Sequence, residues 1–519
     1  MENQNNGWLQ VLARLSFQLY EKISHFSISQ TNFHHLSQMK LITLPFPLSC
    51  SSNPTLLRFK FKPQSSLNPT LDFPKSQSAQ TPTKSPVIII GGGLAGLAAA
   101  THLNSQNTPF LLLEASDAVG GRVRTDVVEG FLLDRGFQIF ITAYSEAQNL
   151  LDYNALNLRK FYSGARIYYD GRFHTVSDPL RDFWASVRSL ANPIGSIPDK
   201  LLIGLTRFRV LTKSDEEILS SGEEVSTMEL LRKIGFSDSV IGRFFQPFFG
   251  GIFFDKELGT TSRLFDFIFK CLALGDNTLP SNGIGAIPQQ LAAKLPSGSL
   301  VFNSRVVSID FDDDAESLSS PSVRLESGEV LKSELGLIVA VEQPEANKLL
   351  AGKVNEPGRI KPDRSTVCLY FTADRANIPV SDPVLFLNGS GKGIVNNMFF
   401  ATNVAPSYGP ADKALVSVSL VGYFEGVDDD DLTTQVVREL SDWFGSSMVR
   451  SWRHLRTYRI KFAQPNQCPP LNSTRDPRVG FGVYVCGDHW TTATFDGALV
   501  SGRRAAEALL RDNALSRVD

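Results

Sequence analysis

The run VIIIGGGLAGLAAATHL, residues 87 to 103, leaves the chain few ways to fold. A membrane-crossing helix needs about 20 uninterrupted apolar residues. This run is shorter and carries Gly91, Gly92, Gly93 and Gly96 in its middle. Val87 to Ile90 is a β-branched stretch suited to a strand buried on both faces, while Leu94 to Leu103 is rich in helix formers. The glycines therefore mark a strand-to-helix junction. In the spacing Gly91-x-Gly93-x-x-Gly96 the first glycine makes a tight turn, the second lets backbone approach a pyrophosphate, and the third allows helix and strand to pack closely. The N–H groups that open the helix, at Leu94 and Ala95, then face an anion at the positive end of the helix dipole.

A second apolar strand, Phe110 to Leu113, ends in Glu114 and Ala115, close to the ~20-residue separation at which an acidic side chain meets a ribose 2′-hydroxyl. A carboxylate there repels a 2′-phosphate, so an unphosphorylated adenosine ribose is expected. With 519 residues the chain exceeds the roughly 250 to 300 at which single cores stop growing, and two structural units are expected. A formal net charge of −2 with 20% charged residues gives no footprint for nucleic acid. Cys50, Cys271, Cys368, Cys468 and Cys486 are scattered and indicate neither a zinc site nor a disulfide framework, so no metal is expected.

Residues 1 to 86 differ in kind. From Lys40 to Pro86 the only acidic residue is Asp72, against Lys40, Arg58, Lys60, Lys62, Lys75 and Lys84 amid Ser, Thr and Pro. That acid-poor, hydroxyl-rich composition reads as an organelle transit peptide, with a disordered linker as the alternative. MKLITLPFPLSCSS, from Met39, looks more like the start of such a peptide than Met1 does.

After the βαβ unit comes AVGGRVRT, residues 118 to 125. Gly120-Gly121-Arg122 resembles the G-G-R signature of the FAD-dependent amine oxidase superfamily, which includes monoamine and polyamine oxidases, protoporphyrinogen oxidases and phytoene desaturases. Two glycines permit close approach to phosphate or flavin, and Arg122 offers a charged fork to an anion; Arg124 does the same or is a surface residue. GVYVCGDHWTTATFDGALVSGRR, from 482, resembles the superfamily's C-terminal flavin motif, a strand followed by Gly487-Asp488 and a helix opening near Asp496-Gly497-Ala498. The resemblance implies that Asp488 bonds the ribityl chain or its phosphate end, and that the helix N-terminus points at the flavin. A third match, residues 279 to 310, implies a strand whose Val306 or Val307 backbone faces the adenine, with Val307 preferred.

The fold implied is α/β: a discontinuous Rossmann-type FAD-binding domain (87–145, 283–345, 476–519) and an α+β substrate domain (146–282, 346–475). No attachment site resembling that of covalent flavoproteins is seen, so FAD is expected to be non-covalent. Segment 242 to 271 holds nine phenylalanines. Phe244, Phe248, Phe249, Phe265 and Phe269 fall at helical spacing, which favours core packing over an apolar tunnel or a lipid-facing patch. Amine-oxidising members of that superfamily hold a water against flavin N5 with a lysine; the resemblance implies Lys461 as the one candidate, with Tyr458 and Trp490 as candidate ring neighbours, structural roles for all three being the alternative. The expected activity is hydride removal to flavin N5 from a small hydrophobic substrate, an isoprenoid, carotenoid or tetrapyrrole, in a plastid and with peripheral membrane association open. The alternatives are a small-amine oxidase, a redox-neutral isomerase, or a prenyl-binding protein like the GDP dissociation inhibitors.

Overall fold

Val87 to Ile90 forms the second half of the strand Lys84–Ile90, and each of the four is at most 3% exposed, because a parallel neighbour flanks it on each side and apolar side chains cover both faces. A computed structural model of the chain describes residues 84–178, 192–220, 222–311, 321–350, 363–480 and 482–515. The segment read as a transit peptide lies, up to residue 83, outside the described residues, as do residues 312–320 of the acidic run FDDDAESLSS.

Lys84–Ile90 sits inside a sheet whose order from one edge is Leu300–Val301, Phe110–Leu113, Lys84–Ile90 and Val330–Val339, all parallel. Val330–Val339 then takes two partners along its other side. Its end runs parallel to Val483–Val485, and its beginning pairs antiparallel with Ser322–Leu325, which pairs in turn with Val306–Asp310. Three stretches distant in sequence thus close one sheet.

The helix Leu94–Ser105 has apolar residues on most of its circumference, which suits a helix buried on several sides. The C-terminal helix Phe495–Leu515 packs along it, with Ala505, Ala506 and Leu509 fully buried. A side chain on Gly502 would overlap the carbonyl of Ala95, so these backbones touch at a point only glycine permits.

A second sheet of seven strands runs in the order Arg453–Gln464, Arg364–Asp374, Lys413–Val421, Val395–Phe400, Leu385–Asn388, Gly164–Tyr169 and Arg172–Ser177. It is antiparallel apart from the parallel pair Leu385–Asn388 with Gly164–Tyr169. Helix Asp429–Phe444 covers one face with Leu432, Val436, Leu440 and Trp443. Its N-cap, Asp428, accepts the N–H of Asp431, and the carboxylates of Asp429 to Asp431 complement the helix dipole, so VDDDDL is a helix start. The other face carries Leu385, Leu387 and Phe399. The protein thus has an α/β two-domain architecture.

The phenylalanine-rich segment forms helices Gln246–Phe253 and Ser262–Leu274. Phe245, Phe249 and Phe265 are under 2% exposed, and the Phe249 and Phe265 rings lie 4.7 Å apart, so the helical spacing marks core packing. Among the described residues no helix is long and apolar enough to cross a membrane.

Candidate active site

The carboxyl ends of the parallel strands carry the glycine turn. Gly91 takes φ +105°, a conformation in which side chains are strained, and its N–H donates to the Leu113 carbonyl at 2.8 Å. A side chain on Gly96 would run into the carbonyl of Gly91, whereas one on Gly93 would meet open space. Gly96 therefore serves the helix–strand contact and Gly93 faces the cavity. The first turn of Leu94–Ser105 has no side-chain cap and no acidic residue, which leaves its N–H groups and dipole free for an anion.

Glu114 is buried at 8% exposure and fixed at both oxygens. Oε2 accepts the Gly92 N–H at 2.7 Å; Oε1 accepts the Ser116 N–H at 2.8 Å and its hydroxyl at 2.7 Å. Three donors keep the carboxylate at the end of its strand, beside the turn.

Arg122 behaves differently from the sequence expectation. Its guanidinium forms a bidentate pair with Asp488, Nη1 to Oδ2 and Nη2 to Oδ1, both 2.8 Å, and Nη1 also donates to the Ala463 carbonyl. The anion it forks is the protein's own carboxylate. Burial opposes ionisation of Asp488, but the Arg122 charge and its hydrogen bonds hold the carboxyl well below the usual carboxylate range. Gly487, at φ +146°, turns the chain out of strand Val483–Val485, and its N–H donates to Ser501 Oγ at 3.0 Å.

The C-terminal helix opens with Thr494 Oγ1 accepting the Gly497 N–H at 2.8 Å. Asp496 in its first turn accepts the N–H groups of Glu146 and Ala147, which start helix Ser145–Leu150, and burial pushes its carboxyl up to about 6. One carboxylate thus ties two helix starts together.

These elements enclose a cavity of about 550 Å³. Of the residues read from sequence, Gly91, Gly93, Leu94, Ala95, Glu114, Ala115, Gly121, Arg122, Gly487, Asp488 and Ala498 line it. Val306 lines it as well, while the neighbouring Val307, 42% exposed, turns its side chain to the opposite face of the strand, so that only its backbone, the part read as facing the adenine, runs beside the cavity wall formed by Val306. Lys461 is displaced for the same reason. Ile460 faces the cavity and Lys461 faces solvent. Tyr458 donates to Asp126 Oδ2 at 2.8 Å, and Trp490 donates from Nε1 to the Asp476 carbonyl with Arg475 over its ring. Neither ring lines the cavity. Arg124 pairs with Asp117 outside it.

The aromatic lining comes from Phe137, Tyr144, Phe248, Phe253, Phe254 and Phe495, so the phenylalanine-rich segment supplies wall as well as core. Gln138 was not legible in the sequence. Its Nε2 donates to the Arg122 carbonyl at 2.7 Å and the Arg135 carbonyl at 3.0 Å, clamping the G-G-R loop to the strand region beside it. Beneath lies Asp134, which accepts from Thr125 Oγ1 at 2.6 Å, the Ile284 N–H at 2.9 Å and Tyr408 Oη at 2.8 Å. Burial pushes this carboxyl up to about 6.

A family model described as flavin containing amine oxidoreductase matches residues 94–510. The chain is a member of this family. Consistent with it, a 15-cis-phytoene desaturase, chloroplastic/chromoplastic, from Glycine max is 21% identical over 83% of this chain and 80% of its own length. Among solved structures, an oxidoreductase from Methanosarcina mazei superposes with a TM-score of 0.61 at 16% identity, covering 82% of this chain and all of the other. Wild-type putrescine oxidase bound to putrescine gives 0.59 at 16% identity, covering 82% and 99%. As a flavin amine oxidoreductase the protein is an FAD-dependent oxidoreductase, and its glycine cradle, open at Gly93 and uncapped at the first helix, fits the phosphates of that cofactor.

Proposed function

We propose that this flavin amine oxidoreductase removes hydride from a hydrophobic substrate, of isoprenoid, carotenoid or tetrapyrrole class, that carries no ammonium group. The flavin, when bound, supplies a two-electron acceptor. The chain's own residues bind and orient. Glu114 meets the adenosine ribose hydroxyls, the N–H groups at Gly93, Leu94 and Ala95 meet the pyrophosphate, and the N-terminus of Phe495–Leu515, near Ala498, faces the flavin ring.

The observation that carries the substrate reading is where charge lies. Every carboxylate on the cavity wall (Glu114, Glu342, Glu345 and Asp488) sits on the dinucleotide side, and Asp488 is neutralised by Arg122. The opposite wall is mostly apolar, with Phe248, Ile252, Phe254, Ile268, Leu385 and Leu387, and its polar members Thr366, Asn397 and Gln464 carry no charge. An ammonium substrate would leave water for a wall with no counter-charge, at a cost of several kcal/mol. Phytoene, named for the Glycine max relative, is a hydrocarbon of the favoured kind. That relative's chloroplastic name, together with the acid-poor N-terminal composition, supports a plastid location.

Helix Ile197–Leu211 supports peripheral contact with a lipid surface. Ile197, Leu201, Leu205 and Phe208 repeat at helical spacing and are each more than half exposed.

The test is an anaerobic titration of the purified flavoprotein, following the visible flavin bands. Bleaching by a carotenoid precursor and none by putrescine supports the reading. Bleaching by putrescine alone overturns it.

A further inference from the structure

Two consecutive asparagines lie in strand Val395–Phe400, and they are treated differently by their surroundings. Asn396 donates from Nδ2 to the Pro247 carbonyl at 2.9 Å. Asn397, 1% exposed, lines the cavity, and its Oδ1 has no hydrogen-bond partner. Across the strand pair its register partner is Ser419, 0% exposed, whose hydroxyl is likewise unpartnered. Paired strand residues share a sheet face, so two unsatisfied polar groups stand side by side on a face that also carries Cys368, Tyr370, Leu385, Leu387 and Phe399.

A buried acceptor without a donor is destabilising, and a residue such as leucine would avoid that cost. Space has been kept for the amide. A side chain on Gly251, in the facing helix Gln246–Phe253, would come within 2.8 Å of Asn397 Nδ2. Among the other amides near this sheet, Asn388 donates to the Lys392 and Val395 carbonyls and Gln464 to that of Ile252, whereas Gln138 Oε1 and Asn403 Oδ1 are, like Asn397 Oδ1, without a partner; of these three residues only Asn397 is as little as 1% exposed and lies on the strand floor of the cavity.

We infer that Asn397 is a specificity-determining residue, and that the substrate is a hydrophobic molecule bearing a hydroxyl group that donates to Asn397 Oδ1. This rests on the apolar-substrate reading above and narrows it. A carbonyl or ether oxygen can only accept, from Nδ2, and leaves Oδ1 unmet, as a plain hydrocarbon does, and an ammonium finds no carboxylate on this wall. The terminal torsion of an amide is broad, so the carboxamide can turn to meet the hydroxyl without leaving its rotamer.

The test compares geranylgeraniol with its methyl ether as ligands of the flavin-loaded protein, reading affinity from the perturbation of the flavin spectrum. The alcohol is expected to bind about tenfold more tightly, the worth of one hydrogen bond to an otherwise unsatisfied acceptor. In Asn397→Leu that preference is expected to vanish, with the ether bound at least as tightly as before. Equal binding of the two by the wild-type protein overturns the inference and leaves the apolar-substrate reading standing. So does an alcohol preference that survives in Asn397→Leu. If the wild-type protein, with flavin bound, takes up neither ligand, both readings fall.

Discussion

Arg122 and Asp488, 366 positions apart along the chain, meet through two parallel hydrogen bonds of 2.8 Å. The pair latches the G-G-R loop to the turn that follows the last strand of the dinucleotide sheet. Two ends of the chain are thereby held at one wall of the cavity, with the charge of each offset by the other. Loss of one partner leaves a charge in a largely enclosed site, which is the costly case for ion pairs.

Replacement of Asp488 by Asn is therefore expected to destabilise the protein by on the order of 3 kcal/mol and to release flavin. Urea unfolding and the absorbance of gel-filtered protein measure the two effects. A variant as stable and as yellow as the wild type would show that the latch is dispensable.

Asp134 gives a pH signature. Its folded-state value, about 6, lies above the ordinary 3.8, so the folded protein holds this proton more tightly than the unfolded chain does. The stability it contributes is complete below about pH 4 and declines as pH rises towards 6. Asp134→Asn removes that component. The difference in unfolding free energy between the two proteins should shift across this window by on the order of 3 kcal/mol and then stay level. Parallel curves from pH 4 to 7 would refute the assignment.

Gly502→Ala tests the contact between the first and last helices. The added methyl group meets the Ala95 carbonyl, so the helices must separate. Overpacking of this kind costs roughly 1–3 kcal/mol. A lower melting temperature is expected, while Gly445→Ala is no control because that residue has its own left-handed conformation. Gly204→Ala, in an open position within a helix, is the suitable one and should be neutral or stabilising.

Lys461 faces solvent from its strand, so Lys461→Ala should leave the flavin spectrum and substrate turnover unchanged within twofold. A fall of tenfold or more in turnover would mean that the lysine reaches the reacting atoms after all.

On helix Ile197–Leu211, the double replacement of Leu201 and Leu205 by Glu is expected to reduce co-flotation with plastid-lipid vesicles about tenfold, with flavin content unaltered. Equal flotation would remove this face as the point of lipid contact.

What could be read from the chain alone were the local features. The strand-turn-helix at 87 to 103 was legible because glycine spacing and β-branched runs act through nearest neighbours, and the Gly487-Asp488 turn was legible for the same reason. Helical periodicity also gave the packing of Phe249 and Phe265, which depends on which residues share a helix face, but it did not single out the buried Phe245, and Phe248, read at the same spacing, lines the cavity. The sequence could not say which way a strand residue points when the strand is half-buried on both sides. Lys461 was one position from Ile460, which lines the cavity, and a one-residue step along a strand reverses the side chain. Partners distant in sequence were equally hidden. Nothing near Arg122 announces that its anion is Asp488, and nothing near Asn397 announces that its amide oxygen goes unmet. Those relations exist only once several sheets and helices have closed around one cavity, because tertiary packing alone decides which groups lose water together.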